Sequence, residues 1–512
     1  MAADLVLGVD VGTTAVKLAV VGLDGALHHA FSRAYPIHRP ADRRAEQDPA
    51  DWTRLIDEGI AALVAAGLGP RIAAIGVTSQ VNTHVFLDAA GRPLMPAIVW
   101  QDGRSAEAAA DLAARVTVDD LLRWFGAPIP IDASHPLSRM EWLRRHDPAM
   151  WDRTRWVVLP KDYCLFHLTG EMVTDAVSNI GIANAAGHVA EALALVPGAA
   201  GRVAPVLPAD AVAGRVRAGM PLAGVPVVVT TMDGWCAVFG GAGGQEGAGV
   251  HISGTSEILG IVGARVNPTP GVVVFPELLG LRLHAGPTQA GGAALQWFCD
   301  WSGRSLEQVN GMVSATPRKA TTPIFLPQLE GERAPLWDAS LRGAFLGMDQ
   351  STGMADLARA VMEGVAFSAR HVMGALESSA GVRPAVLACG GGGFRSPVWT
   401  RIKADVMGRP MVPLRVNEPG ILGAAALAAT GAGLFASLAE AHGAIVAKAE
   451  PVLPDPRRVA EYDDLFGIYA DAIAANAAIH GRMVARAASL SKDCNEIAPG
   501  PQRGSQPAPG SP

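Results

Sequence analysis

Leu5-Val6-Leu7-Gly8-Val9-Asp10-Val11-Gly12-Thr13-Thr14-Ala15-Val16-Lys17-Leu18-Ala19-Val20-Val21 is where the fold of this chain can first be read. An apolar run from Leu5 to Val9 and another from Lys17 to Val21 flank a Gly/Thr turn, and Leu23-Asp24-Gly25 ends the second run. Two short apolar segments around a tight turn predict a β-hairpin. The pattern returns half a chain later, where Val250-His251-Ile252-Ser253-Gly254-Thr255-Ser256 leads into Ile258 to Val262. Both copies read as apolar strand, Gly-Thr-Thr/Ser, apolar strand. That predicts an internal duplication, with a boundary close to Gly243-Gly244. Asp10 aligns with Ile252, so the acid belongs to the first copy alone and the halves differ in role.

Outward from these hairpins, helical and strand-like stretches alternate. Asp48-Pro49-Ala50-Asp51-Trp52 is a helix start, with Asp51 a candidate cap before Leu55, Ile56 and Ile60 at helical spacing. Met354 to Leu376 carries Leu357, Val361, Val365 and Val372 near a 3.6-residue period. Ile72 to Val77, Pro226 to Thr231 and Ala385 to Ala388 read as strands, so the class is α/β. Ile421 to Ala439 carries no charge and approaches the roughly 20 residues of a membrane span. It is mostly Ala and Gly, interrupted by Gly431 and Gly433, which predicts a helix packed tightly inside a soluble domain. From about Ser489 the chain is rich in Pro, Gly and Ser and reads as a disordered tail.

Composition excludes several classes. The chain has 512 residues and a formal net charge of −6, with 49% hydrophobic and 18% charged residues. That apolar fraction is too high for a disordered protein. The near-neutral balance argues against a nucleic-acid or anionic-membrane surface and suits a small-molecule enzyme. Five dispersed cysteines without a CxxC form neither a disulfide framework nor a zinc framework, and predict buried, reduced thiols. The first residues lack the basic region of a signal peptide, so the expected location is cytoplasmic.

The candidate chemistry begins with phosphate. Gly12-Thr13-Thr14 supplies backbone N–H groups and hydroxyls in a tight turn, and Gly254-Thr255 supplies a second such turn. Asp10 is the candidate Mg²⁺ ligand, and Lys17 could add a positive charge. Gly390-Gly391-Gly392-Gly393-Phe394-Arg395-Ser396, between a strand and a helix candidate, lets a ring or phosphate lie against bare backbone. It is neither a Walker A loop nor a GxGxxG dinucleotide fingerprint. Asp233 follows the strand-like run Val227 to Val229 and precedes Gly234. An acid there could take the proton of an attacking hydroxyl, as phosphoryl transfer to an alcohol requires.

From Val6 to about Leu434 these motifs, taken in order, resemble the FGGY carbohydrate kinases of the actin-like, sugar-kinase and heat-shock ATPase superfamily. The matching stretches include Asp10 to Thr14, Thr78-Ser79-Gln80, Trp100-Gln101-Asp102-Gly103-Arg104, Leu159-Pro160-Lys161-Asp162-Tyr163, Met232-Asp233 and Ser253-Gly254-Thr255. Gly343-x-Phe345-x-Gly347-Met348, followed by Asp356-Leu357-x-x-Ala360-Val361-Met362-Glu363, is similar to a family signature at every fixed position. The resemblance implies two actin-like (ribonuclease H-like) ATPase domains around a deep cleft, here residues 1–245 for the sugar and 246–488 for the nucleotide, with 489–512 as the tail. It implies ATP and Mg²⁺ as cofactors and Asp233 as the base. Mg²⁺ would lie near Asp10. Gly12, Thr13, Thr14, Lys17, Gly254 and Thr255 would surround the phosphates, with Gly391, Gly392 and Ser396 at the nucleoside. Gln80, Asn82, Trp100, Asp102 and Arg104 would form the sugar side, although Asp102 and Arg104 also read as a structural pair.

The substrate is less legible. Xylulose kinases usually carry Met-His after the Gln and glycerol kinases Arg-Glu, whereas this chain has Val81-Asn82. The Leu-Pro-Lys-Asp-Tyr segment and its spacing are closest in appearance to the xylulose branch. The expected reaction is phosphorylation of a ketopentose such as D-xylulose. Alternatives are a kinase for another polyol, tetrulose or sugar acid, and an actin-like ATPase without a sugar. His84 reads as a packed strand residue, and Trp235 reads as either core or pocket wall. Glu418 precedes Pro419-Gly420 where relatives carry two acids and Ala, so its role stays open. The expected partner is a small sugar or polyol, with neither nucleic acid nor membrane. A homodimer is an expectation by family analogy.

Overall fold

The computed structural model describes residues 3–41, 43–126, 128–278 and 280–496. Its first sheet contains β1 (Leu5–Val11), β2 (Ala15–Gly22), β3 (Leu27–Ala34), β4 (Ile72–Ser79), β5 (Val212–Arg215) and β6 (Pro226–Val228), in the order β5-β6-β4-β1-β2-β3. The second contains β7 (Gly249–Ser253), β8 (Glu257–Gly263), β9 (Val273–Val274), β10 (Arg282–Pro287), β11 (Leu387–Gly390) and β12 (Met411–Pro413), in the order β9-β10-β8-β7-β11-β12. Strands β3-β2-β1-β4-β6 and β10-β8-β7-β11-β12 have one topology: three antiparallel strands, then two parallel to the first. The duplication expected from the hairpins is thus a duplication of whole sheets. The turns differ in length. Pairing of Val11 with Val16 leaves Gly12 to Ala15 in the first, and pairing of Ser253 with Glu257 leaves Gly254 to Ser256 in the second.

The hairpin strands read as continuous apolar runs because helices cover both faces of each sheet. Leu5, Leu7, Val9 and Val11 enter one core with Trp52, Leu55, Ile56 and Ile60 of helix α1 (Pro49–Ala65) and Leu165 and Leu168 of α2 (Pro160–Thr169). Asp48, rather than the expected Asp51, caps α1, accepting from the N–H of Ala50 at 2.9 Å. Pro49 fills the first helical position, where a missing N–H costs nothing, and moves the cap one turn earlier than Asp51. Val6, Ala19, Val21, Ala74 and Val228 face the opposite way.

That opposite face carries a reciprocal crossing. Helix α3 (Asp233–Ala242) follows the last strand of the first sheet, yet its Cys236, Val238 and Phe239 pack against Val250, Val262 and Ala388 of the second. Among the later helices, α4 (Gly292–Ser302) follows β10, α5 (Met354–Ala380) and α6 (Pro397–Met407) flank β11, and α7 (Pro419–Gly431) follows β12. Helix α7 packs Ile421, Leu422, Ala425 and Ala428 onto the first sheet. The two crossing helices touch with backbone in contact: a Cβ on Gly423 would stand 1.8 Å from the Cys236 carbonyl, and one on Gly240 would stand 1.9 Å from that of Pro419. This is why the uncharged Ile421 to Ala429 stretch is small-residue-rich and fully buried. Among the described residues no helix is long and apolar enough to cross a membrane.

Helix α5 buries Val361, Val365 and Val372 at the expected spacing. The last helix, α8 (Pro456–Glu496), runs into the stretch read as a tail from 489, and 497–512 lie outside the described residues. Cys164, Cys236, Cys299 and Cys389 are buried and unpaired.

Candidate active site

Parallel strands of an α/β sheet release their loops at one edge, and ligands collect there. Asp10 sits at the end of β1, Gln80 directly follows β4, and Asp233 opens α3 after β6. Both hairpin turns reach the same space. A cavity of ≈ 580 Å³ is lined by Thr13, Thr14, Gln80, Asn82, Trp100 and Asp233 from the first half, and by Thr255 and Ser256 from the second.

Asp233 lines this cavity, and the Asp10 carboxyl is near enough to feel its charge. Asp233 accepts a hydrogen bond from the N–H of Gly234 at 2.8 Å. Burial raises its carboxyl to about 6, against the opposing pull of that N–H. Burial also raises Asp10, to about 7; the charges of Asp233 and Glu418 add to the effect and Lys17 counters it. Asp10 Oδ1 is buried without a hydrogen-bond partner. A cation beside Asp10 would supply that partner and relieve the carboxylate repulsion. Among the described residues no group of three His, Cys, Asp or Glu could hold a metal by itself. A single carboxylate completed by phosphate oxygens and water is the usual setting of Mg²⁺, so the donor set fits that ion. Lys17, expected at the phosphates, has its Nζ 2.7 Å from Glu418 Oε2 at the start of α7, an ion pair that joins the two halves. Glu418 therefore has a defined partner that its altered motif did not reveal.

The second hairpin turn rests on α4, whose Gly292 and Ala293 N–H groups donate to the carbonyls of Gly254 at 2.9 Å and Thr255 at 3.0 Å. Beneath it lies a fully buried charged cluster. Lys403 Nζ reaches Ser253 Oγ at 2.6 Å and Glu257 Oε1 at 3.1 Å, and His251 Nε2 lies 2.5 Å from Glu257 Oε2. Burial pushes Glu257 up, but Lys403 and His251 outweigh it and hold the carboxyl at about 2. The glycine cluster packs on the same strand end, since a Cβ on Gly391 would stand 2.4 Å from the Ser253 carbonyl. Asn417 clamps Gly391, accepting from its N–H at 2.7 Å and donating to its carbonyl at 2.8 Å. Gly392 has open space around it. Ser396 caps α6 by accepting from the N–H of Trp399 at 3.3 Å, and donates to Asn310 Oδ1 at 2.6 Å.

On the other wall, Asn82 adopts φ 55°, a left-handed conformation that Asn tolerates, and donates to Ser134 Oγ at 3.2 Å. Asp132 holds Ser134 at 2.8 Å. Trp100 donates from Nε1 to Thr13 Oγ1 at 3.0 Å. Asp102 and Arg104 do not line the cleft: Arg104 forks onto Asp102 at 2.8 and 2.7 Å and onto Glu46 at 2.6 Å, and Asp102 also receives the N–H of Ala45 at 2.6 Å. Every acceptor direction of Asp102 that matters is used inside the protein, so the pair is structural. His84 is buried, with Nδ1 3.0 Å from Arg139 Nη1, and Trp235 is fully buried core. The residues that sequence reasoning missed are Ser134, Lys403 and Asn417. Only Asn417 had a local signal, since it adjoins the altered Glu418-Pro419-Gly420 segment.

Comparison with known proteins agrees with this arrangement. The model of the FGGY family of carbohydrate kinases, N-terminal domain, matches residues 5–240, and that of the C-terminal domain matches 249–432. A xylulose kinase of Lactococcus lactis is 27% identical over 492 residues, covering 91% of this chain and 95% of that protein. A glycerol kinase of Aromatoleum aromaticum is 30% identical over 480 residues, covering 89% and 96%. The crystal structure of xylulose kinase from Rhodospirillum rubrum superposes with a TM-score of 0.81 at 27% identity, covering 93% of this chain and 99% of that one. With duplicated actin-like sheets and both halves matched in order, the chain belongs to the FGGY family of carbohydrate kinases.

Proposed function

We propose that this sugar kinase transfers the γ-phosphoryl group of ATP to a terminal hydroxyl of a ketopentose of the D-xylulose type, with Asp233 as the base. The observation that carries this reading is the position of Asp233. It lines one cavity together with the polar side chains of Gln80, Asn82 and Trp100 and the turns at Thr13-Thr14 and Thr255. Its carboxyl, raised to about 6, is ionised at neutral pH yet basic enough to accept a proton. The hydroxyl oxygen attacks phosphorus, the bond to the β-phosphate oxygen breaks, and the hydroxyl proton passes to Asp233. Asp10 would hold Mg²⁺, whose charge offsets that of the phosphate oxygens. Thr13, Thr14, Gly254 and Thr255 would meet the phosphates, and Gly391 and Gly392 the nucleoside. The Lys17 ammonium donates to Glu418 with one of its three N–H groups, which leaves donors for a phosphate oxygen.

The substrate class rests on the sugar wall. Gln80, Asn82 and Ser134 are neutral hydrogen-bonding groups, which suit an uncharged polyhydroxylated ligand better than a sugar acid. The relationship to a glycerol kinase favours a second reading, a smaller polyol. ADP release measured with D-xylulose, other pentuloses, tetritols, glycerol and D-gluconate separates the readings. D-xylulose is expected to give the highest kcat/KM. Strong turnover of another member without D-xylulose overturns the substrate, and full-rate hydrolysis without any sugar overturns the kinase reading.

A further inference from the structure

Gln47 lies outside the cavity and is fully buried, yet it stands between a sugar-side residue and a phosphate turn. Its Nε2 donates to the Thr13 carbonyl at 2.7 Å, and its Oε1 accepts from Gln80 Nε2 at 2.8 Å. The polarity of this chain has one solution. A peptide carbonyl only accepts, so Gln47 must turn its nitrogen to Thr13; its oxygen then faces Gln80, which must answer with nitrogen. Gln80, which lines the cavity, is left with Oε1 buried and without a partner. At the other end, the Thr13 carbonyl and the Thr14 N–H belong to one planar trans peptide and point in opposite directions. Drawing the carbonyl to Gln47 directs the N–H of Thr14, a residue that lines the cavity, away from Gln47, while Trp100 holds the Thr13 hydroxyl.

We propose that Gln47 is a positioning residue that relays sugar occupancy at Gln80 to the phosphate turn at Thr13-Thr14. The proposal rests on the reading of the cleft as a sugar kinase site. A ligand hydroxyl donating to Gln80 Oε1 polarises that amide, which strengthens its donation to Gln47 and then the donation of Gln47 to Thr13. The relay selects a hydrogen-bond donor at Gln80, so a ligand group that only accepts, such as a carboxylate, does not engage it. Sugar and nucleotide then tighten one another, by equal factors, as linkage requires.

The test is calorimetric titration of β,γ-methylene-ATP with Mg²⁺, with and without saturating D-xylulose, glycerol or D-gluconate. In the wild type the sugar that is turned over is expected to tighten nucleotide binding by about fivefold or more. Gln47→Leu removes both bonds and is expected to bring that ratio to about one, with a smaller change in either affinity measured alone. Gln47→Glu still accepts from Gln80 but cannot donate to Thr13, so it loses the coupling too. Gln47→His, whose ring accepts at one nitrogen and donates at the other, restores it. Full coupling in a folded Gln47→Leu protein overturns the relay. So do equal ratios in the Glu and His variants, which carry the comparison if the Leu variant does not fold, and so does absence of tightening by all three sugars in the wild type. Tightening by another sugar while D-xylulose is inert overturns the substrate assignment, and supports the relay when Gln47→Leu abolishes it.

Discussion

Replacing Asp233 by Asn keeps the outline of the side chain and removes its charge. In the folded protein burial raises this carboxyl from 3.8 to about 6. An unfolded chain titrates the same group near its ordinary value, so between about pH 4 and 6 the folded state binds the extra proton. Stability from this group therefore falls as pH rises through that window, and the ionised carboxylate costs stability at all higher pH. Two units of difference correspond to about 3 kcal/mol. The residue keeps an edge open to the cleft, and water there reduces the figure to about 1–3 kcal/mol. Asp233→Asn should accordingly raise unfolding stability at pH 7.5 by that amount, read by thermal or urea denaturation, while kcat falls by about 10²–10⁴ with loss of the proposed proton acceptor. Affinity for ATP should change little. The wild-type enzyme should lose kcat/KM below about pH 6, reaching roughly one-tenth at pH 5. An Asn variant with turnover within about tenfold of wild type, or one less stable than wild type, refutes the assignment.

Two further expectations concern the frame of the site. Asn417→Ala removes both hydrogen bonds that clamp Gly391 and should raise the KM for ATP about tenfold, with the KM for sugar nearly unchanged in steady-state kinetics. Gly423→Ala places a methyl group 1.8 Å from the Cys236 carbonyl and should destabilise by about 2 kcal/mol or more in urea unfolding, whereas Gly443→Ala, in open space on a neighbouring helix, should be neutral or slightly stabilising.

The hairpins, the duplication and the α/β class were legible because they depend on local matters: apolar runs of strand length, turn glycines and helical spacing. The positions of Asp10, Asp233 and the two Gly-Thr turns were legible for the same reason, since each lies at or shortly after the end of a strand that can be recognised from its own residues. Asp102 and Arg104, close in sequence to Trp100, read equally as pocket residues and as a structural pair. The arrival of Glu46 and of the Ala45 N–H from another segment decided for the buried pair.

The remaining features depend on residues far apart in the chain. Glu418 meets Lys17 across 401 positions, and Lys403 reaches Ser253 across 150. Gln47 has no motif of its own, and its role exists only where Thr13 and Gln80 converge on it. The crossing of α3 and α7 onto each other's sheets was equally hidden. The uncharged stretch from Ile421 announced a buried helix, but which surface would bury it was settled by backbone contact at Gly240 and Gly423. Local chemistry in the sequence thus determined the elements and the reactive groups at their ends. Long-range packing decided which cation is paired, which carboxylate oxygen is left without a partner, and how the two halves meet over the cleft.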